Sequence, residues 1–431
     1  MKRAIWLVII VLGGMLPQQA AAETRFVVRN GLGSLVMSLT CGLLGCKVAG
    51  GLGDPNGQLF LVTSNTDNPV LLLVRLLLSP GVKNAEFDLK GQTQAADAGA
   101  VPQALYDKAP INYYGATVWH GYVYQPANQI VRTLDAQNQF GVTGAGTVAV
   151  IDTGVDPDHP VLRPVLVDGY DFTHNRSSAN EKGDVTQSTA AVLDNAAPAY
   201  VNQSTAAVLD QSTAAVLDDR GYAAFGHGTM TAGIIHLVAP TARIMPLKAF
   251  GADGSGYTSD VLRAIYYATK KGAKVINMSF SFSAYSPELK NAVDYASGRG
   301  VVLVSSAGND GSNTMVYPAG LSNVMGVAST TNFDTRSSFS NYGSAIVWVA
   351  APGEGVVTTY PYGTYAAVWG TSFSTPFVAG TAALLNGVSS SVNESSAETA
   401  ISKAKWIDPD LNNGRLDVYQ AVQAWRATRG Y

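Results

Sequence analysis

The sequence predicts an α/β fold: a three-layer domain with a central, mostly parallel sheet and helices on both faces, preceded by a small α+β region. Three observations lead there. Past about residue 145, near-continuous apolar runs of strand length recur at 148–151, 273–278, 301–304, 324–328 and 345–350. Helical stretches at 261–270, 287–297 and 376–385 fall between or after them. Strands without a polar face, alternating with helices, imply a parallel sheet covered on both sides. The third observation is a change of character before that point. Residues 24–95 hold shorter apolar runs, at 25–28, 59–63 and 70–78, separated by Gly, Asp and Asn turns. A short βαβ-type arrangement fits them.

The chain has 431 residues, enough for one large α/β domain with an extension. Its 28 Lys+Arg stand against 31 Asp+Glu, for a formal net charge of -3, and no Lys/Arg block offers a phosphate-binding stripe. No nucleic-acid partner is expected. Charged residues make up 14% and glycines number 44, so the surface is built from uncharged polar groups and short turns, as in many extracellular enzymes. The two cysteines, Cys41 and Cys46, leave everything after them cysteine-free. The main domain therefore cannot depend on a disulfide, and the sequence leaves open whether these two pair.

Taken from the start, Lys2 and Arg3, the apolar run 4–16 and Ala20-Ala21-Ala22 before Glu23 form an export signal over residues 1–22. The rival is a membrane anchor, but about 13 apolar residues fall short of the roughly 20 that span a bilayer. No later stretch is long and apolar enough, so the expectation is a protein exported from the cell with no membrane span once the signal is removed. Residues 23–95 form the small region. The segment 91–110, GQTQAADAGAVPQALYDKAP, has the Ala, Gly, Gln and Pro content of a linker, so residues 96–125 are read as linker and maturation region, with the maturation cleavage expected between about residues 90 and 125, and 126–431 as the main domain. Inside it the octapeptide QSTAAVLD occurs three times within 187–218, the last two in direct tandem. Units this short cannot build a solenoid. They read as a tolerated surface insertion or, alternatively, as an adhesive loop.

Three segments carry candidate chemistry. A serine hydroxyl becomes a useful nucleophile only beside a base that a carboxylate orients. VAVIDTGVD, residues 148–156, ends an apolar strand at Asp152; alone, such an aspartate reads equally as a turn cap. GHGTMTAGI, residues 226–234, sets His227 between two glycines that allow close backbone approach, although a capping histidine would look the same. In GTSFSTPFVAGTAALL, residues 370–385, Ser372 sits just before Pro376 and an apolar helix. Proline favours a first turn, which sets Ser372 near the positive end of the dipole, where outward N–H groups could bind an oxyanion. A simple N-cap serine is the alternative.

Together with SSAGND at 305–310, these segments resemble, in order, the four motifs of the subtilisin-like serine peptidases, the subtilases. The order Asp, His, Ser is the subtilisin order. The resemblance runs from about Gly141 to GRLDVYQAV at 414–422. It implies a serine endopeptidase in which Asp152 orients His227, His227 is general base and then acid, Ser372 attacks the scissile carbonyl, and Asn309 with the Ser372 N–H forms the oxyanion hole. It also implies polypeptide substrates, a monomer, and a propeptide at 23–95 that acts as chaperone and inhibitor until cleaved, so that the chain is made as a zymogen.

Departures from the pattern matter for specificity. Met230 and Thr231 stand where the family often has His-Val. Gly254, Ser255 and Gly256, in GADGSGY, match the edge that pairs with an extended substrate. Across the cleft, Ser279-Phe280-Ser281-Phe282 replaces the frequent Ser-Leu-Gly-Gly, and side chains in place of glycines are expected to narrow the cleft. Val316 falls near the base of the S1 pocket, which suggests a modest apolar P1 residue. No EF-hand run and no HExxH spacing is present, catalysis needs no cofactor, and a structural calcium is expected only by family likeness, without a located site. A reading from another class is a catalytically silent subtilase fold used as a binding or adhesive module.

Overall fold

The computed structural model describes residues 23–93, 96, 99–184 and 222–430. The leader 1–22 and the octapeptide insertion 187–218 lie outside the described residues. The chain divides into two compact units: one ends at Phe87, and the other runs from Asp88 onward and includes Leu52–Gly57.

In the first unit β1 (Thr24–Asn30), α1 (Ser34–Leu44), β2 (Lys47–Gly51), β3 (Leu59–Ser64), α2 (Pro69–Leu77) and β4 (Val82–Phe87) follow one another. The sheet order is β2-β3-β1-β4, with every neighbouring pair antiparallel. The simple βαβ expectation is corrected to a split form, in which β1 and β2 run parallel with β3 between them. The cause lies in the side chains: β3, LFLVTS, is buried almost throughout and takes an inner position, whereas β2 alternates exposed and half-buried residues and stays at the edge. Phe26, Val28, Met37, Phe60, Val62, Leu72 and Leu76 fill the core. A disulfide joins Cys41, in α1, to Cys46, just before β2.

The second unit begins with β5 (Lys90–Gln92), a hairpin of β6 (Pro110–Tyr113) and β7 (Ala116–Trp119), and short helices up to Phe140. The stretch 96–125 is not an unstructured linker over its later part. Leu105, Tyr113, Val118 and Tyr122 are buried in the main core, and the Tyr122 hydroxyl donates to the Gly233 carbonyl at 2.7 Å.

The principal sheet contains β8 (Thr147–Asp152), β9 (Tyr170–Asp171), β10 (Arg176–Ser177), β11 (Arg243–Lys248), β13 (Val275–Met278), β14 (Val302–Ser306), β15 (Met325–Thr330) and β16 (Val349–Pro352), while β12 (Ser255–Tyr257) pairs apart from it with β5. Its order is β10-β9-β11-β8-β13-β14-β15-β16. All pairs are parallel except β10 with β9. Strands β13 to β16 are buried along their whole length, as strands covered on both faces must be. The chain leaves β8 to form β11 on one side and later returns to form β13 on the other. The carboxyl end of β8 is thus a topological switch point, where such sheets open a crevice. No strand is expected from the sequence at β11, RIMPLK, which contains Pro246. Ile244 and Lys248 turn their carbonyls toward segment 165–172, where the ladder is irregular, so the missing N–H of Pro246 on that same side costs no regular bond.

Candidate active site

Asp152 ends β8 at the switch point and is fully buried. His227 opens the helix His227–Val238. Its Nδ1 lies 2.7 Å from Asp152 Oδ1 and, facing a carboxylate, carries the proton. Asp152 Oδ1 also accepts the Thr153 N–H at 2.7 Å, and Oδ2 accepts the Thr231 hydroxyl at 3.3 Å. The glycines beside His227 are there for space. Gly226 has φ 87, where a Cβ would also strike the Tyr360 ring, and a Cβ on Gly228 would overlap the Gly154 carbonyl oxygen. The imidazole packs on Phe373 with ring centroids 5.1 Å apart, and its Nε2 has no hydrogen-bond partner among the described groups.

Ser372 lies in the first turn of the helix Thr371–Val388, so the helix starts five residues before Pro376 rather than at it. Pro376 lacks the N–H that would bond the carbonyl four residues back, and that carbonyl belongs to Ser372. The Ser279 hydroxyl donates to it instead, at 2.8 Å, and is itself held by Asn277 Nδ2 at 3.0 Å. The Ser372 hydroxyl in turn reaches the Ser279 carbonyl at 3.2 Å. Asn309 Oδ1 accepts both the N–H and the hydroxyl of Thr371 at 2.9 Å, which turns the amide NH2 to the opposite side. The structure therefore brings Ser279, Asn309, Thr371 and Ser372 together at one helix end, with His227 beside Phe373 in the same turn.

Gly254, Ser255 and Gly256 lie where an edge strand was expected, the last two in β12, and the strand they meet is the chain's own β5. The register pairs Ser255 with Gln92, Gly256 with Gly91 and Tyr257 with Lys90, antiparallel. Thr93 N–H donates to the Gly254 carbonyl at 2.9 Å, and on the opposite side Gln92 and Ser281 exchange two backbone bonds at 3.2 and 3.0 Å. Residues 90–92 are thus laced between the two walls of a groove. Val316 is buried behind Gly308, whose added Cβ would lie 3.6 Å from it.

Sequence reasoning missed Glu181. It is 1% exposed, and its Oε2 accepts the Gly226 N–H and the Thr153 hydroxyl, both at 3.1 Å, while Oε1 meets the Thr229 hydroxyl. Thr153 Oγ1 accepts the Gly228 N–H at 3.0 Å, and Thr229 Oγ1 accepts the Asp156 N–H at 2.8 Å. One carboxyl group thereby ties the residue after Asp152 to those on both sides of His227. Burial, then the neighbouring charges of Asp152 and Asp156, push its pKa up to about 8. The buried Lys248 ammonium anchors the same turn through Asp184, at 2.6 Å, and through the Thr153 and Phe250 carbonyls. No group of three or more His, Cys, Asp or Glu that could hold a metal occurs among the described residues. The Asp156 and Asp158 carboxylates are bridged by Lys182 Nζ at 2.7 and 2.8 Å.

The model of the subtilase family matches residues 144–416. The chain belongs to the subtilase family. This subtilase is 37% identical to thermitase of Thermoactinomyces vulgaris over 293 residues, 65% of the chain and 90% of that protein. It is 34% identical to the thermophilic serine proteinase of Bacillus sp. (strain AK1), over 71% of the chain and 68% of that protein. Its fold matches fervidolysin of Fervidobacterium pennivorans, described as a keratinolytic enzyme related to subtilisin, with TM-score 0.71 and 22% identity, over 95% of the chain and 62% of that longer one. The subtilase is accordingly a subtilisin-like serine endopeptidase. Among the described residues no helix is long and apolar enough to cross a membrane.

Proposed function

We propose that the chain is the exported precursor of a serine endopeptidase, with Asp152, His227 and Ser372 as its triad and Asn309 as an oxyanion donor. The 2.7 Å contact between Asp152 and His227 at the sheet's switch point carries this reading. Asp152 fixes the tautomer that leaves His227 Nε2 as the base. Nε2 takes the Ser372 proton as Oγ attacks the scissile carbonyl, then returns it to the leaving amine; water repeats the sequence on the acyl-enzyme. The developing oxyanion is received by the Ser372 N–H at the helix start and by the Asn309 NH2, whose orientation Thr371 sets. Substrates are polypeptides bound extended, adding a strand between 254–256 and 279–281.

The precursor reading rests on β5. Residues 90–93 make the backbone bonds of a bound substrate, so the preceding segment inhibits by occupying the groove, and the maturation cleavage is placed among the bonds between Thr93 and Ala96. Residues 23–95 then hold the propeptide, and 1–22 direct export. The silent-module alternative is not favoured, since a side chain fills each catalytic position. Intact mass of the precursor beside Ser372→Ala tests the proposal: wild type should shorten to a form beginning between residues 94 and 96 and take up a serine-directed phosphonate, while the variant stays uncut. A wild type that keeps the segment and takes up no phosphonate sinks it.

A further inference from the structure

The expected narrowing of the groove has a specific place. In β5 the side chains alternate: Lys90 and Gln92 are exposed, and only Gly91 is buried. Of these three groove residues, position 91 alone turns its side-chain direction into the enzyme. A Cβ built there would lie 2.5–2.8 Å from Cε1, Cδ1 and Cζ of Phe282. Its φ is not in the left-handed region, so glycine is not required by the backbone. The space is simply taken.

Phe282 has little freedom to give way. It is 2% exposed, and its ring stands edge-on to Phe280 at 5.9 Å, which packs on Phe250 at 4.8 Å. Its backbone is tied to Tyr317 by bonds of 2.7 and 2.9 Å. A close-packed aromatic stack moves only by leaving its rotamers and crowding the next ring.

We infer that Phe282 closes the groove at the substrate position held by Gly91, so that this peptidase selects glycine two residues before the residue whose N–H bonds the Gly254 carbonyl. The inference rests on the peptidase reading above, with β5 as the image of a bound substrate. It names a substrate class: extended segments with glycine at this position and free choice at the two exposed positions beside it.

The test uses the purified mature enzyme and two quenched fluorogenic peptides. One is the chain's own 88–99 sequence, DLKGQTQAADAG, and the other carries Gly91→Leu. Wild type should lose at least tenfold in kcat/KM on the leucine peptide, equivalent to about 1.4 kcal/mol. In Phe282→Ala the two peptides should agree within about threefold, the loss being tied to a ring that is gone. Phe282→Leu, a gentler change should alanine not fold, should fall between. Equal cleavage of both peptides by wild type overturns the inference. So does an undiminished loss in a folded Phe282 variant, or a wild type that digests casein but cuts neither peptide. A wild type inert toward casein and unlabelled by phosphonate fails differently, since it overturns the peptidase reading itself.

Discussion

Glu181 is buried with two aspartates nearby, so it favours its neutral form at ordinary pH even though Thr153 and Thr229 bond to it and pull the other way. A carboxyl group whose folded pKa, about 8, stands above its ordinary 4.5 stabilises the fold fully below about 4.5, and that contribution is lost as pH rises through about 8. Thermal melts of wild type should therefore fall over this window, and Glu181→Gln, which keeps an acceptor for Gly226 and Thr153 and cannot ionise, should flatten that part of the curve. Glu181→Ala should cost about 1–3 kcal/mol below about pH 4.5, by leaving buried donors unpaired, and less as pH rises toward 8. An identical pH slope in the Gln variant would refute the assignment. Nothing in ANEKGD advertises this role: a glutamate in a polar stretch reads as solvated, and only its bonds to Thr153, Gly226 and Thr229 make it otherwise. Asp152, His227 and Ser372 stand out in the sequence because each sits in a motif whose glycines and proline dictate local geometry.

The elements best foreseen carry their own boundary signals. The helix Pro287–Ser297 begins where Ser286 accepts the Leu289 N–H at 3.0 Å and Pro287 takes the first turn. Strand β8 is built on the unbroken apolar run 148–151. Strand β11 was hidden because its place depends on its partners rather than on its letters, and β5 because a groove supplies both its neighbours. The helix Thr258–Lys270 is likewise completed from outside, where Asp88 receives the Ser259 N–H at 2.8 Å and its hydroxyl at 2.7 Å, and the Leu89 carbonyl takes the Thr258 N–H at 2.9 Å. A carboxylate at a helix start is worth roughly 1 kcal/mol. A synthetic peptide of residues 85–93 carrying Asp88→Ala should then inhibit the mature enzyme about fivefold more weakly than the native peptide. Equal inhibition constants would show that this cap does not hold the segment.

For the molecule as a whole, the separation between Asp152 and His227 is bridged before the insertion begins and after it ends. Glu181 reaches across to Gly226, and Asp184 is fixed by Lys248, so both flanks of residues 185–221 are tied to the sheet and to the helix of His227. Deletion of 187–218 with the flanks retained should leave kcat/KM on a fluorogenic peptide within about twofold and shift Tm by no more than a few degrees, as loop shortening between fixed ends does; a collapse of activity would show that the repeats support the site. The same two anchors bear on the gene. Each octapeptide is a run of eight codons, so gain or loss of a copy keeps the reading frame, and a tract bounded by independent fastenings can change its copy number among descendants without disturbing the contact between Asp152 and His227.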